Sequence, residues 1–303
     1  MTMMNVRRLA SACAVVAAVA LGGPSTAQVQ MDHKFDPFFD NMLYQSQVYG
    51  IEMVGQRLSM AGAFAAPVNS QLVPQLKRME QRDYARFKGT LSQRNAQLEK
   101  DLAAALRSVM AKVEAGQAAT AEITKARQLL DEASKVIIDQ KVRDQPPFKG
   151  AVLANLLMAN DGVAEAFEDA IRENWGYPNG WASIRRVEVL WKELEPLASA
   201  SQKQEMTSLI DLLKSNFYAQ PAPKIPFPNE EAEDVEALAH QMLSVLEQVV
   251  DATLYTGRDM PKLINKMVEV VTPACDQYAK GQKAIADESL YPLLDQYRNN
   301  MAG

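Results

Sequence analysis

The sequence predicts an all-α protein, built as a multi-helix up-and-down bundle that could divide into two sub-bundles. Apolar residues recur every three to four positions along most of the chain, which is the spacing that lines one side of a helix. The residues between them are largely Glu, Gln, Lys, Arg and Ala, which form helices well. No stretch alternates apolar and polar residues as a half-buried strand would.

Residues 1–27 are predicted to be a secretory signal peptide rather than part of the fold. Arg7 and Arg8 precede an apolar run over 9–21, and the small residues of 25–27 fit a cleavage site. That run is shorter than the roughly 20 residues that a membrane-spanning helix needs, and no later run reaches that length. We therefore expect a mature chain that is periplasmic or secreted and has no membrane span.

Proline and glycine set the boundaries of the first predicted helices. Pro67 and Pro74 bracket the loop between the first helix and a long second one, and Gly116 ends the second. Pro146 and Pro147 stop the third helix. The predicted spans are about 36–64, 74–115, 120–142, 149–174 and 181–197.

Turn and capping residues define the later helices. The stretch 175–181 has Gly-Tyr-Pro-Asn-Gly at its centre, a composition typical of a turn between the fourth and fifth helices. Ser201 and Gln204 have the spacing of a capping box that would open the sixth helix. Asn229 is placed to cap the next helix, whose first turn is acidic. Two more helices are predicted over about 260–279 and 283–300.

A Pro-rich segment at 220–228 is the best candidate for a domain boundary. Its four prolines predict a stiff, extended connector. We therefore divide the mature chain into a helical bundle over 28–219, this connector, and C-terminal helices over 229–303 that pack on or beside the bundle.

Charge and residue content exclude several classes of protein. The chain carries a formal net charge of −5 at pH 7 and no basic stripe, which disfavours binding to nucleic acid. Beyond the predicted signal peptide only Cys275 remains, so no internal disulfide is expected. With two histidines, His33 and His240, no catalytic triad, no His-Glu-x-x-His and no haem motif is present. The sequence therefore predicts a protein that is not an enzyme, and it assigns no cofactor.

Two clusters of histidine and carboxylates fit either a solvated surface or a weak site for a divalent cation. One lies near the predicted mature N-terminus and comprises Asp32, His33, Asp36 and Asp40. The other lies on one side of a predicted helix and comprises Glu233, Glu236, His240, Glu247 and Asp251. The solvated reading is favoured for both, and the metal ligands of the protein are unknown at this point.

Candidate binding residues come from the fourth and fifth predicted helices and from the turn between them. Asn160 falls within an apolar stripe, where a buried amide needs a hydrogen-bond partner from the backbone, water or a ligand. Glu188 falls at the margin of the predicted inward face of the fifth helix. It could pair with Arg185 or Lys192, or it could be a half-buried carboxylate framed by indoles in a recognition pocket. We take as candidate binding residues Trp181, Arg185, Glu188, Asn160 and Tyr177.

The stretch 183–191 resembles a motif of the imelysin-like periplasmic proteins, which are exported helical bundles associated with iron uptake. That motif reads Gly-x-His-x-x-Glu before a Leu/Trp-rich continuation. Glu188 falls on the motif's Glu, whereas Arg185 stands where the His belongs and Ser183 where the Gly belongs. An arginine stays protonated and cannot coordinate a metal. The wider segment 150–213 also resembles helical periplasmic domains that accompany bacterial iron permeases. Both resemblances imply a non-catalytic accessory role in metal uptake.

Two functions are therefore expected. The first is a periplasmic binding or accessory protein that serves the uptake of iron or another metal. The alternative is an envelope protein–protein interaction or scaffold module without a small-molecule ligand. A catalytic base at Glu188 is the one enzymatic alternative.

Overall fold

The computed structural model describes residues 35, 37, 39–63, 72–159, 161–173, 176–221 and 230–254, with several positions between 265 and 280. These residues belong to one compact unit that begins at Phe35. Several predictions concern residues that lie wholly or largely outside the described ranges: the signal peptide, Asn160, the connector 220–228, the Asn229 cap and the two C-terminal helices.

The prediction of an all-α, multi-helix bundle is confirmed, and the described residues contain no strand. The helices are α1 (Phe39–Ala63), α2 (Leu72–Arg78), α3 (Ala85–Arg94), α4 (Ala96–Glu114), α5 (Thr120–Ile137), α6 (Gln140–Arg143), α7 (Pro146–Met158), α8 (Val163–Glu173), α9 (Tyr177–Leu194), α10 (Ala200–Leu212) and α11 (Glu230–Val250). Two π-helical segments, Met79–Tyr84 and Leu213–Phe217, follow α2 and α10, and a 3₁₀ turn follows α9. Within the described residues no helix is both long and apolar enough to span a membrane.

The long second helix predicted over 74–115 is in fact interrupted twice. Met79–Tyr84 is wound as a π-helix, a wider turn that turns Asp83 into the interior. Asn95 then leaves the helical conformation, and its side chain accepts a hydrogen bond from the Leu98 amide at 3.0 Å to cap α4. Helix α4 ends at Glu114, two residues before Gly116, which has a φ of 70°. The observed end therefore lies close to the end that the sequence predicts.

The prediction of one helix over 149–174 is wrong, because α7 ends at Met158 and α8 begins at Val163. Asp161 adopts a left-handed conformation, with φ 62°, in the intervening turn. The apolar pattern conceals this break because α7 is buried on almost every side, so its sequence reads as an unbroken apolar run. The break is stabilised by contacts of the Asp161 side chain that are distant in sequence.

Two helix starts also differ from the prediction. Helix α9 begins at Tyr177, because Pro178 is suited to a first helical turn and the Gly-Tyr-Pro-Asn-Gly stretch forms that turn rather than a loop. The capping box before α10 is built by Ser199 and Gln202, not by Ser201 and Gln204. The Ser199 amide donates to Gln202 Oε1 at 2.9 Å, and the Gln202 amide donates to Ser199 Oγ at 3.3 Å.

Helix α9 occupies the centre of the described bundle. It packs against α1, α7 and α8, and α11 covers α7 and α8. Gly180 allows the closest approach, because a Cβ at this position would overlap the ring of Tyr218. The polar side chains of α9 therefore divide into an inner set facing α1 and an outer set facing solvent and the second π segment.

Candidate functional site

Tyr177 belongs to an aromatic cluster that holds the second π segment against α9. Its hydroxyl donates to the Phe217 carbonyl oxygen at 2.6 Å, and the Tyr218 hydroxyl donates to that of Val163 at 2.5 Å. The Phe167 ring packs against Phe217 and Tyr218, with ring centroids 5.8 and 5.5 Å apart. Burial raises the pKa of Tyr177 to about 12 and that of Tyr218 well above its ordinary value. Both phenols therefore stay neutral donors at physiological pH.

Arg185 lies over the ring of Trp181, with its guanidinium carbon 4.1 Å from the ring centroid. Its Nη1 donates to the Trp181 carbonyl oxygen at 3.0 Å and its Nη2 to that of Tyr218 at 3.2 Å. Both acceptors are main-chain groups, and Arg185 has no carboxylate partner among the described residues. Burial lowers the pKa of Arg185, which remains a cation at neutral pH. The guanidinium is thus held by main-chain groups, and within the described part of the chain it forms no ion pair, although Glu188 acts on it from a distance.

Glu188 pairs with Lys214 and with neither neighbour on its own helix. Lys214 Nζ donates to both carboxylate oxygens at 2.7 Å, which links α9 to the second π segment. The carboxylate is therefore occupied by an ammonium group. In the described part of the chain, no group of three or more His, Cys, Asp and Glu residues could hold a metal ion.

The outer face of α9, formed by Trp181, Arg185, Val189 and Lys192, carries two cations that form no ion pair within the described ranges. These residues follow each other at intervals of three or four, which places them along one side of the helix. Both nearby carboxylates on α9 are engaged elsewhere, Glu188 by Lys214 and Glu193 by Lys149 at 2.8 Å. Lys192 is exposed and has no carboxylate partner among the described residues, and Val189 between the two cations is 55 % exposed.

The inner face of α9 contacts a buried ionic network that the sequence analysis missed, formed by Arg57, Arg82, Asp83 and Asp161. Arg57 is fully buried. Its Nε donates to Asp83 Oδ2 at 3.2 Å and its Nη2 to Asp161 Oδ2 at 3.4 Å. Its Nη1 donates to the side-chain oxygens of Gln75 and Asn179. Every part of this guanidinium is therefore hydrogen-bonded, as a buried cation requires.

Arg82 completes the network from the edge of the interior. It is half-buried, and it donates to Asp83 Oδ1 at 2.8 Å and to Asp161 Oδ2. Burial acts to raise the pKa of Asp161, but Arg57 and Arg82 outweigh it and hold that pKa below its usual value. The two carboxylates match the two guanidinium groups in charge, so the network is neutral as a whole.

Asn179 and Ser183 join α9 to this network. Asn179 Nδ2 donates to Asp161 Oδ1 at 3.0 Å, while Ser183 Oγ donates to the Asn179 carbonyl oxygen at 2.8 Å. From α1, Gln56 Nε2 donates to Ser183 Oγ at 2.7 Å. The signal that could have revealed this contact is the pair Gln56-Arg57, which interrupts an otherwise apolar side of α1.

The remaining predicted sites are placed as follows. His240 Nε2 lies 3.8 Å from Glu236 Oε1, and both side chains are about half exposed, as on a solvated helix face. The side chains of the N-terminal acidic cluster lie outside the described residues, as does Asn160. The chain matches no family model, no curated protein and no solved structure.

Proposed function

We propose that this chain is an exported, non-catalytic helical protein that binds an acidic segment of an envelope protein through the outer face of α9. The observation that carries the proposal is the pattern of charge pairing on that face. Glu188 and Glu193 are neutralised by lysines from other elements, whereas Arg185 and Lys192 form no ion pair with any carboxylate that the structure describes. A positive strip on a chain of net charge −5 suits a negatively charged partner.

The residue types on this face are those that contribute most to protein interfaces. Tryptophan and arginine dominate interface energetics, and here they are stacked on each other. Arg185 is held by two main-chain carbonyls, so little side-chain entropy remains to be lost when a carboxylate binds it. The exposed Val189 adds an apolar contact between the two cations. An acidic segment with at least one apolar side chain would match the two cations, Arg185 and Lys192, and the apolar Val189 between them.

Metal uptake, which the resemblance of 183–191 implies, has less support from this geometry. A metal ion at Glu188 would have to displace the Lys214 ammonium from both carboxylate oxygens, and Arg185 cannot act as a ligand. An accessory role in metal uptake is compatible with the proposal only if the bound segment belongs to a transport protein.

Site-specific photocrosslinking tests the proposal directly. A photoreactive amino acid at position 189 should capture one envelope protein in stoichiometric yield, and 0.5 M salt should suppress that capture because the contact is electrostatic. The same amino acid at the exposed position Gln128 on α5 is the control. A capture at position 189 that is absent, or equal to that at position 128, would contradict the proposed binding face.

A further inference from the structure

We infer that Asn179 and Asp161 are positioning residues for the outer face of α9: through the buried ionic network they set the rotation of the first turn of this helix, and with it the Trp181–Arg185 stack. The inference rests on the proposed function. Asn179 is fully buried in that first turn, and both ends of its amide are engaged. Its Oδ1 accepts from Arg57 Nη1, and its Nδ2 donates to Asp161 Oδ1 at 3.0 Å.

The bonding pattern of Asn179 requires an amide at this position. One side of the group must accept from a guanidinium and the other must donate to a carboxylate, and only an amide offers both in a planar side chain of this size. Because Arg57 lies on α1 and Asp161 in the turn between α7 and α8, the amide joins three parts of the fold. The first turn of α9 is therefore fixed in rotation as well as in position.

Trp181 lies two residues beyond Asn179, on roughly the opposite side of the helix. A rotation of the first turn would move both the indole ring and the Trp181 carbonyl oxygen, which accepts from Arg185. The inner network and the outer stack are thus coupled through one helical turn, without any direct contact between them.

Two further contacts between α1 and α9 keep the same register. Gln56 donates to Ser183, and Arg186 donates to both oxygens of Glu52 at 2.7 and 3.0 Å. Positions 52, 56 and 57 of α1 therefore meet positions 186, 183 and 179 of α9 in antiparallel order. Apolar packing alone is less restrictive in register than paired polar groups, whose misalignment leaves donors and acceptors without partners.

The conformation of Asp161 agrees with this role. Its φ of 62° is unusual for a residue other than glycine, and such a conformation persists where surrounding contacts determine it. A Cβ on the neighbouring Gly162 would lie 2.6 Å from the Ala159 carbonyl oxygen, so the turn is tight and only glycine fits there. The turn presents the Asp161 carboxylate to Arg57, Arg82 and Asn179 together.

The test uses the purified ¹⁵N-labelled chain and reads the Trp181 indole N–H and Arg185 Nε–H resonances, assigned with the Trp181→Phe and Arg185→Lys variants. The Trp181 indole nitrogen is buried without a hydrogen-bond partner in the described part of the chain, so its resonance reports the ring environment. In Asn179→Asp a second carboxylate faces Asp161, and both resonances should shift. The double variant Asn179→Asp/Asp161→Asn restores a donor–acceptor pair and should return both towards their original positions.

Asn95→Asp is the matched control, because the same chemical change there keeps the cap of α4 and lies outside the network. It should move neither resonance. Asn179→Ser, which is too short to bridge Arg57 and Asp161, provides a milder variant and should also shift both signals. Unchanged resonances in folded Asn179→Asp or Asn179→Ser, or no recovery in the double variant, would overturn the inference. Unfolding of all three variants would overturn it too, because the network would then be needed for folding alone.

Crosslinking from position 189 in the same variants separates this inference from the proposed function. If the unsubstituted chain captures no partner, the proposed function fails, whereas the two resonances still decide the positioning role. If the chain captures its partner and folded Asn179→Asp captures it equally well with unshifted resonances, only the positioning role fails.

Discussion

Arg185 and Arg186 are neighbours on α9, but Arg185 bonds to main-chain carbonyl oxygens and Arg186 bonds to a carboxylate. Arg186 forms a bidentate ion pair with Glu52, in which each carboxylate oxygen accepts one hydrogen bond. Arg185 uses its donors on main-chain carbonyl oxygens, which hold the group without cancelling its charge. A carboxylate from outside the chain would therefore find a fixed cation at Arg185 and an already neutralised one at Arg186.

Charge reversal tests this difference at the residue scale. Arg185→Glu with Lys192→Glu should reduce crosslinking from position 189 at least tenfold, because each substitution replaces attraction by repulsion. Lys100→Glu with Lys125→Glu changes the net charge equally at exposed positions of α4 and α5 and should leave crosslinking intact. Equal losses in the two double variants would point to total charge rather than to this face.

Arg57 should be the most costly arginine to remove. Arg57→Met removes the buried cation that contacts both Asp83 and Asp161, which is expected to cost about 3–5 kcal/mol of unfolding free energy. Arg186→Met breaks a partly exposed pair and should cost no more than about 1 kcal/mol. Urea denaturation of both variants measures the difference. Similar losses would mean that the network adds no more stability than this partly exposed pair.

At the scale of elements, helix α9 is shaped by contacts on two sides. The inner side holds polar groups that meet α1, and the end near Tyr177 packs closely against Tyr218 of the chain after the second π segment. Gly180 makes this approach possible, since any side chain there would occupy the space of the Tyr218 ring. The tyrosine in turn offers Arg185 its carbonyl oxygen, so helix packing and charge placement depend on one glycine.

Alanine at two helical glycines should have opposite effects. Gly180→Ala forces Tyr218 aside and is expected to lower the unfolding free energy by about 1–3 kcal/mol, as overpacking does. Gly89→Ala in α3 meets no atom within 4 Å and should raise it by about 0.5–1 kcal/mol, because alanine favours the helix. Thermal or urea unfolding compares them. A neutral Gly180→Ala would show that the Tyr218 ring moves without cost.

At the scale of the whole molecule, the buried ionic network links stability to pH. The folded-state pKa of Asp161 is lower than its unfolded value because Arg57 and Arg82 outweigh the effect of burial. Its contribution is therefore complete above the unfolded pKa of about 3.9 and is lost as the pH falls through the folded value. The free energy of unfolding should decline below about pH 4, and Asp161→Asn should make that decline less steep. Urea midpoints of both chains measured between pH 2 and 7 would show the difference. An equally steep decline in Asp161→Asn would mean that Asp161 does not cause the loss of stability in acid.

The fold class could be predicted from the sequence because helical periodicity is a local property. Gly116 and the capping pattern of the Ser-x-x-Gln type are local too, although the box forms at Ser199 rather than Ser201. The break at 159–162 could not be predicted, since it depends on Asp161 meeting Arg57, which is 104 positions away along the chain. The π turn that buries Asp83 was missed for the same reason.

The candidate site was predicted in part. Indole and guanidinium at Trp181 and Arg185 lie together because residues four apart share a helix side. The partner of Glu188 was not foreseen, because Lys214 comes from another element and the sequence offers closer cations at Arg185 and Lys192. Local spacing therefore predicted which side chains lie next to each other, and long-range contacts decided their partners.

Helix α7 has consequences for anyone who shortens this chain. Its residues from Gly150 to Met158 are all buried, and Gly150 lies so close to Val250 of α11 that a Cβ there would be 3.1 Å from the valine methyl. A fragment that ended at Pro221 would expose this apolar surface to water, and fragments with large exposed apolar surfaces tend to aggregate. Recombinant work on the first 221 residues alone should yield inclusion bodies, whereas supplying α11 would keep the product in solution.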